Sequence, residues 1–379
     1  MPIFLHTADW QIGKLFGQFE PDEAALLAEA RFAAVERLAQ LAAVQGVDAV
    51  LVAGDVFDAQ TVADRTIRRL FHAMGGFAGR WLMIPGNHDA ALAESVWTRA
   101  ARLHAIPPNV TVCVRPEPVL LESARVAVLP APLTQRNTHV DLTGWFAAAD
   151  TPAGFARVGL AHGSVQGILA DGIDAANPIA ADRAASARLD YLALGDWHGT
   201  REIDARTWYA GTPETDRFRA NDSGQALLVE LEGPGARPVV TAVATGRYRW
   251  QSVVAELHVA SDLDALSERL AAFGPADVVQ LAVAGCSDLA GHRRLGDAIA
   301  QARGRARSLV ADLSALQLEP TTADIEALAA DGYLADVVTA LQAAQHGADP
   351  DAAQTARDAL ALLAGLLDAR RPAARQQQS

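Results

Sequence analysis

Five short apolar runs in the first two hundred residues each lead within a few positions to a side chain that can bind a metal ion. A short apolar run bounded by turn residues is typical of a buried β-strand. In an open α/β sheet, ligands bind where the carboxyl ends of the strands meet. The runs are Pro2–Leu5, Ala49–Val52, Trp81–Ile84, Val158–Leu160 and Leu192–Leu194, and the side chains that follow them are Asp9, Asp55, Asn87, His162, Asp196 and His198. The pattern predicts an α/β domain with a metal site at one end of its sheets, and it favours two metal ions over one.

Helical segments separate the first strands. Residues 23–45 carry apolar side chains at helical spacing, including Leu27 and Leu38, and the strand that follows directly makes a βαβ unit with the first strand. A second helix is predicted near residues 61–74. Strands that alternate with helices indicate a layered α/β sandwich, which we predict for residues 1–246.

The pattern changes after residue 246, where two further regions are predicted. Residues 247–317 contain three apolar runs with helical segments between them, which predicts a small α+β module of the form βαβαβ. Residues 318–379 are predicted to form alanine- and leucine-rich helices followed by a polar tail. The predicted strands of the module are Val253–Val259, Val278–Val283 and Ser308–Leu313, and its helices are expected near 262–272 and 291–303.

The side-chain types in the five loops indicate which metals they suit. Carboxylate, amide and imidazole groups together suit Mn²⁺, Fe or Zn²⁺ better than Ca²⁺. A carboxylate between two cations is what a phosphoesterase centre needs. Gly54, Gly86 and Gly195 stand beside these ligands, where tight turns and close backbone approach favour glycine. We therefore expect two divalent cations as cofactors, with Mn²⁺ favoured and Mg²⁺, Fe and Zn²⁺ as alternatives.

Composition bears on the location and the partners of the chain. No apolar stretch is long enough to span a membrane, and the N-terminus lacks the basic and apolar regions of a secretory signal. Cys113 and Cys286 lie far apart, which argues against a disulfide framework and favours a reducing cytoplasm. A net charge of −13 is unusual for a protein that binds nucleic acid unaided. DNA binding would therefore depend on local arginines, on metal ions or on a partner.

The motifs, taken in order, resemble those of the calcineurin-like metallophosphoesterase superfamily, and within it the SbcD-type nucleases of DNA repair. They read Asp9-Trp-Gln11, Gly54-Asp55-Val-Phe-Asp58, Gly86-Asn87-His88-Asp89, Ala161-His162-Gly163 and Gly195-Asp196-Trp-His198-Gly199. The resemblance implies a layered metallophosphoesterase sandwich of two mixed sheets flanked by helices, with a small α+β capping module and a C-terminal helical segment. It also implies a subunit that cleaves DNA phosphodiester bonds, forms a homodimer, and binds an SbcC-like SMC-type ATPase through its C-terminal helices.

The resemblance assigns the metal ligands residue by residue. The ligands of the first ion would be Asp9 and His198, those of the second would be Asn87 and His162, and the bridging carboxylate would be Asp55. Two positions depart from the family pattern, because Gln11 and Asp196 stand where histidines are usual. Gln11 could ligate weakly through its carbonyl oxygen, whereas Asp196 is a competent ligand whose charge favours a hard ion such as Mn²⁺ or Mg²⁺.

The third motif carries the remaining catalytic roles that the resemblance implies. His88 would contact the scissile phosphate and protonate the leaving oxygen, and Asp89 would orient its ring. Base rates favour simpler roles for polar and aromatic residues nearby. Solvated ion pairs are favoured for Lys14, Arg217 and Arg219, and structural packing is favoured for His6, Trp10 and Trp197.

Two other functions stay open at the level of sequence. Gln11 and Asp196 allow a non-catalytic subunit that binds DNA ends or acts as a scaffold, and a small-molecule or nucleotide phosphodiesterase would differ only in its substrate. A protein Ser/Thr phosphatase is disfavoured, because that branch has arginine directly after an aspartate in the second motif and this chain does not. The apolar face for the ATPase would be formed by Leu334, Val338, Leu341, Leu360, Leu363 and Leu367, with packing inside the domain as the alternative.

Overall fold

Two six-stranded sheets form the first unit of the chain, Met1–Arg249. The structure is a computed structural model that describes residues 1–167, 176–321, 324 and 333–369. The strands of this unit are β1 Ile3–Thr7, β2 Ala49–Val52, β3 Arg80–Met83, β4 Val110–Val112, β5 Val119–Leu121, β6 Val126–Ala131, β7 Ala156–His162, β8 Ser164–Val165, β9 Pro178–Ile179, β10 Tyr191–Gly195, β11 Arg201–Asp204, β12 Thr207–Tyr209, β13 Gln225–Glu230 and β14 Val239–Ala244. Its helices are α1 Pro21–Gln45, α2 Asp64–Ala73, α3 Val96–Arg102 and α4 Arg183–Ser186, with 3₁₀ turns at Met74–Gly76, Glu122–Ala124 and Gly144–Ala148.

Both sheets mix parallel and antiparallel pairs. The first has the order β14-β13-β1-β2-β3-β4, in which β1 to β4 are parallel and β13 is antiparallel to β1 and β14. The second has the order β11-β12-β10-β7-β6-β5, with four parallel inner strands and antiparallel edge strands. The carboxyl ends of parallel strands lie on one side of a sheet. The predicted sandwich of two mixed sheets flanked by helices is confirmed.

The first sheet is buried on both faces. Phe4 and Leu51 pack with Leu160 of the second sheet in one hydrophobic cluster. Their neighbour Leu5 points to the opposite face and packs with Leu38 of α1, because successive residues of a strand alternate between faces. Strands that are covered on both sides are continuous apolar runs in the sequence, which is why these strands are predictable.

Some element boundaries differ from the predicted ones. Helix α1 begins at Pro21 instead of residue 23, since proline suits the first turn of a helix, and Gly46 ends it in a left-handed conformation with φ 60°. Strand β2 has the predicted bounds, whereas β7 runs on to His162. His162 pairs in parallel with Gly195 of β10, so β7 extends beyond the predicted run Val158–Leu160. The predicted ligand His162 therefore belongs to a strand and not to a loop.

A three-stranded sheet is the centre of the second unit, Trp250–Ser379. Its strands, adjacent in this order, are β15 Arg249–Leu257, β16 Asp277–Ser287 and β17 Ser308–Leu318, and its first helices are α5 Ala260–Ala271 and α6 Leu289–Arg305. Strands β16 and β17 are parallel, and Leu263, Leu281 and Leu295 join strands and helices in one core. The predicted order βαβαβ is present, with longer strands than predicted. The division of the chain at residues 246 and 317 into three domains stays a prediction.

The C-terminal helices pack against each other. They are α7 Tyr333–Ala344 and α8 Pro350–Ala369, and their contact is formed by Val338, Leu341, Leu360 and Leu363. The side chain of Leu367 and residues 370–379 lie outside the described residues. Within the described ranges, none of the helices has the length and apolar character that a membrane span requires.

Candidate metal centre

The predicted ligands follow parallel strands of both sheets. Asp9 and Asp55 follow β1 and β2 of the first sheet, and Asn87 follows β3. His162 ends β7 and Asp196 follows β10 of the second sheet. The carboxyl ends of these strands meet at one edge of the sandwich, so loops from distant parts of the chain converge there.

Three of these side chains form a buried cluster. One ligand atom each from Asp9, Asp55 and His162 lies within 4.8 Å of the other two. The Nε2 atom of His162 is 3.5 Å from Asp55 Oδ1 and 3.7 Å from Asp196 Oδ1. The Asn87 amide oxygen is 2.8 Å from the same nitrogen. The structure therefore brings four of the predicted ligands around His162.

The hydrogen bonding of His162 indicates that this group of atoms fits a cation. The carbonyl oxygen of Ala53, 2.8 Å away, can only accept, so Nδ1 of His162 carries a proton, and in the neutral ring Nε2 presents a lone pair. That lone pair faces the Asn87 oxygen and the Asp55 carboxylate, which are also acceptors. A divalent cation would satisfy all of them; without one, rotating the Asn87 amide so that its nitrogen donates would also do so.

Burial and charge together shift the pKa values of the residues in the cluster. Burial raises the pKa of Asp9 to about 6, although the nearby imidazoles of His198 and His162 oppose the shift. Burial lowers the pKa of His162, but the charges of Asp55, Asp9 and Asp196 outweigh it and raise the pKa to about 9. When no cation is bound, a second proton, on Nε2 of His162, offsets the negative charge of the carboxylates, and a bound cation would take the place of that proton.

The two residues that replace histidines lie beside the cluster. The backbone N–H of Asp196 donates to both carboxylate oxygens of Asp9, at 3.1 and 3.2 Å, and its side chain accepts from Ser164. The amide nitrogen of Gln11 donates to Asp55 Oδ2 at 2.8 Å. Gln11 is therefore a hydrogen-bond donor to the central carboxylate in this conformation, and ligation through its oxygen would require the amide to rotate. Its role as a ligand stays a prediction.

His198 is held by a carboxylate that sequence reasoning missed. Its Nδ1 lies 3.2 and 3.3 Å from the two oxygens of Asp216, which also accept from Lys14 Nζ at 2.5 Å and Arg217 Nε at 3.0 Å. Burial alone would raise the pKa of Asp216, but the hydrogen bond from His198 and the charges of His198, Arg31 and Lys14 lower it well below its usual value. A carboxylate on Nδ1 orients an imidazole so that Nε2 can bind a metal. Asp216 follows no apolar run, so no strand-end signal marks it.

The third loop places His88 at the accessible side of the cluster. Its side chain is one-third exposed, and Nε2 lies 3.9 Å from Asp55 Oδ2. Nδ1 donates to the carbonyl of Asp58 at 2.7 Å. Asp89 accepts from the backbone N–H groups of residues 56, 57 and 86 instead. This corrects the expectation that Asp89 orients the ring, because its buried oxygens are used to hold the loops, and burial raises its pKa to about 7.

Unusual backbone conformations concentrate at the site. Asp9, Gln11, Asp55 and Asp196 all have positive φ angles, of 53°, 49°, 52° and 101°. Such conformations are costly for residues other than glycine and are found at functional sites, where the surrounding structure enforces them. The buried Arg31 of α1 contributes to that enforcement by donating to the carbonyls of Asp9 and Trp10 at 3.0 and 2.6 Å.

Two glycines beside the ligands are required by close approach. A Cβ atom on Gly86 would collide with the Asp55 carboxylate and backbone, and one on Gly195 would collide with the carbonyl of Ala53. In both cases a backbone atom is among the obstacles, so movement of a side chain would not make room. The sequence expectation of close backbone approach at these glycines therefore has a direct structural cause.

A family model and known proteins were found that match parts of this chain. The family model described as calcineurin-like phosphoesterase matches residues 3–228, more than half of the chain. Over 94 residues, the chain is 35% identical to the D subunit of the nuclease SbcCD of Rhodobacter capsulatus, a match that covers 23% of this chain and 21% of that protein. The match thus spans about a fifth of the length of that relative. The crystal structure of TT1561 of Thermus thermophilus is similar over 64% of this chain and 99% of that one, at 13% identity and a TM-score of 0.41.

Proposed function

Because the chain belongs to the calcineurin-like phosphoesterase family, a family of metal-dependent hydrolases, we propose that it is a two-metal phosphodiesterase that cleaves DNA. The observation that carries this proposal is the cluster of Asp9, Asp55 and His162 with the Asn87 oxygen turned toward it. Oxygen and nitrogen ligands around one central carboxylate are the donor set of a two-metal phosphoesterase. The similarity to a nuclease subunit supports DNA as the substrate.

The residues divide between two cation positions. The second position would be formed by Asn87, His162 and Asp196, whose ligand atoms face the same space. The first would be formed by Asp9 and His198, and Asp55 would serve both. Asp9 and Asp55 in these loops suit Mn²⁺ or Mg²⁺, and Mn²⁺ is the ion we propose.

Bound cations would supply positive charge to the phosphate and lower the pKa of a water molecule that attacks phosphorus. The chain itself provides a proton carrier on the exposed side of the cluster. Since Nδ1 of His88 is bound to the carbonyl of Asp58, its Nε2 is the atom that can contact the phosphate or the leaving oxygen. We propose that His88 stabilises and protonates that oxygen.

An SbcC-like SMC-type ATPase is the proposed partner, together with a second copy of the chain. The similarity to a subunit of a complex called SbcCD supports the ATPase. The apolar residues that α7 and α8 share are in contact with each other, so the partner surface we propose is formed by the exposed leucines. Leu362 and Leu366 of α8 are 70% and 62% exposed. They lie one turn apart on one face of the helix.

A non-catalytic, DNA-end-binding or scaffold subunit is the second candidate. It is favoured by Gln11, whose amide nitrogen faces Asp55 in place of an imidazole ligand. In that case the fold would present DNA to a partner without cleaving it.

Degradation of end-labelled single- and double-stranded DNA with Mn²⁺ tests the proposal. The control is Asp55→Asn, and bis(p-nitrophenyl) phosphate serves as a small diester. Cleavage of DNA that the control lacks supports a nuclease. Cleavage of the small diester alone would indicate a small-molecule phosphodiesterase, and cleavage of neither would contradict catalysis and favour the scaffold.

A further inference from the structure

Arginine side chains lie over Trp197, the residue between Asp196 and His198 in the last loop of the candidate centre. The guanidinium carbon of Arg219 is 4.7 Å from the centre of the indole, and that of Arg201 is 5.8 Å from it. Both distances are in the range of cation–π attraction. A guanidinium that stacks on a ring keeps its N–H groups in its own plane, where they can still donate to an anion.

Arg219 differs from the other cations near the site. Lys14 and Arg217 both donate to the buried Asp216, and Arg217 also contacts His198. Arg219 is exposed, and within the described part of the chain it has no ion pair with a carboxylate. Its side chain is therefore accessible to an anion from solvent, whereas Lys14 and Arg217 are engaged with Asp216.

The residues just before Arg219 are held in place by contacts with other parts of the chain. Asp216 is fixed by Lys14 and His198, and the ring of Phe218 packs on Phe19 at 6.4 Å between centroids. The indole of Trp197 then limits the orientations of the Arg219 side chain. A cation that is already ordered loses less entropy when it binds a ligand than a free side chain does.

We propose that Arg219, held on the indole of Trp197, binds a backbone phosphate next to the scissile phosphodiester. The inference rests on the proposed function. It concerns the neighbouring phosphate, which a polynucleotide strand has and a small diester lacks. With a net charge of −13 the chain repels polyanions as a whole. A positive group beside the centre would therefore select a polynucleotide strand over an isolated diester, because only the strand offers a neighbouring phosphate.

Binding of a fluorescein-labelled oligothymidylate of about 20 nucleotides, a length that covers one single-strand site, tests the proposal without turnover. Fluorescence anisotropy in Ca²⁺ at several salt concentrations would compare the wild type with Arg219→Ala, Trp197→Leu and Trp197→Phe. The matched control is Arg68→Ala, which removes an exposed arginine from α2. Circular dichroism would check that each variant is folded.

We expect Arg219→Ala to weaken binding about tenfold, as for the loss of a charge-assisted hydrogen bond. The slope of log affinity against log salt should decrease in magnitude by about 0.7, the value for one contact to a single strand. Trp197→Leu should weaken binding and Trp197→Phe should retain it, since a phenyl ring still supports the guanidinium. Equal affinity and slope in Arg219→Ala and Arg68→Ala would overturn the proposal, as would a wild type that does not bind. Hydrolysis of bis(p-nitrophenyl) phosphate tests the proposed function separately.

Discussion

At the scale of single residues, the Asp55 carboxylate is where the polar contacts of the candidate centre meet. It accepts from the Gln11 amide and from the backbone N–H of His88, and it faces the rings of His88 and His162. Its backbone is held at φ 52°. Gln11 and His88 reach it from two loops and His162 from the end of β7, so a change in one of these segments should affect the side chains of the others.

Replacing Gln11 by histidine should tighten metal binding. An imidazole would put a ligand nitrogen where the amide N–H now donates to Asp55, and a change of this kind in the surroundings of a metal alters affinity by about tenfold or more. Isothermal titration with Mn²⁺ would measure it, with Gln40→His, an exposed position of α1, as the control. Unchanged affinity in Gln11→His would count against a cation near this position.

Asp216→Asn should weaken one of the two cation positions. The variant leaves His198 without the carboxylate that orients it, and loss of such a partner costs about ten- to a hundredfold in metal affinity. Titration of Mn²⁺ binding should show one weakened ion and one unchanged ion. The control, Asp264→Asn on the surface of α5, should show neither effect. Equal weakening of both ions would indicate a structural role and contradict positioning of His198.

Because His6 is buried as a neutral imidazole, we expect the folded chain to lose stability in acid. Its Nε2 donates to the carbonyl of Leu194 at 3.2 Å, so its Nδ1 accepts from the hydroxyl of Tyr191 at 2.9 Å. Burial lowers the pKa of His6 to about 3, against the hydrogen bond to Leu194, which raises it. Below its usual pKa of about 6.5 the unfolded chain binds a proton that the folded chain does not, so stability falls as the pH falls toward 3.

The variant His6→Gln distinguishes the contribution of His6 to the pH dependence of stability from that of other titrating groups. The amide can keep both hydrogen bonds but cannot bind a proton. Between about pH 6 and about pH 4, the slope of the free energy of unfolding against pH should be smaller in His6→Gln by about 1.4 kcal/mol per pH unit. Urea unfolding at several pH values measures the slopes, and parallel curves for the two proteins would contradict a neutral buried His6.

At the scale of secondary-structure elements, α1 supports the centre through Arg31. This buried guanidinium donates to the carbonyls of Asp9, Trp10 and Glu214 and to the hydroxyl of Thr212. It therefore ties the first ligand loop to the loop that follows β12. The helix is long enough to carry this residue beneath the ligand loop while its apolar face packs on the sheet.

Arg31→Met should destabilise the first unit by about 3 kcal/mol or more, because it leaves buried acceptors and charges without their partner. Arg69→Met is the matched control, since Arg69 pairs with Glu29 at the surface, where such pairs contribute at most about 1 kcal/mol. Urea unfolding would compare the two. A loss in Arg31→Met no larger than in Arg69→Met would show that the loops hold without this cation.

At the scale of the whole molecule, the C-terminal helices bury only part of their own apolar surface. Val338 and Leu360 are buried by each other, whereas Leu362 and Leu366 are exposed. Exposed leucines one turn apart form an apolar strip that would suit a helical partner.

Leu362→Glu combined with Leu366→Glu should abolish co-purification with an SbcC-like ATPase, as should removal of residues 322–379. The double variant should keep the thermal stability of the wild type, because both side chains are exposed, whereas Leu360→Glu should unfold the hairpin. Retained binding by the double variant would place the partner elsewhere on the chain.

From the amino-acid sequence alone one could infer the family, the central strands of the two sheets and the side chains that gather at one edge of them. Runs such as Ala49–Val52 are covered on both faces, and a strand covered on both faces has a local apolar signature that survives without the structure. Parallel strands then place the residues that follow them at one edge. Asp9, Asp55 and His162 could therefore be grouped before their distances were known.

The hydrogen bonds that hold the proposed ligands in place could be found only in the folded chain. Asp216 reaches His198 from a loop without an apolar run, Arg31 reaches Asp9 from a helix, and the carbonyl of Asp58 replaces Asp89 as the partner of His88. Hydrogen bonds of this kind depend on positions in space, and no local spacing encodes them. The apolar stripe of the C-terminal helices is similar: periodicity reveals that such a stripe exists, but only packing shows which leucines the chain itself covers.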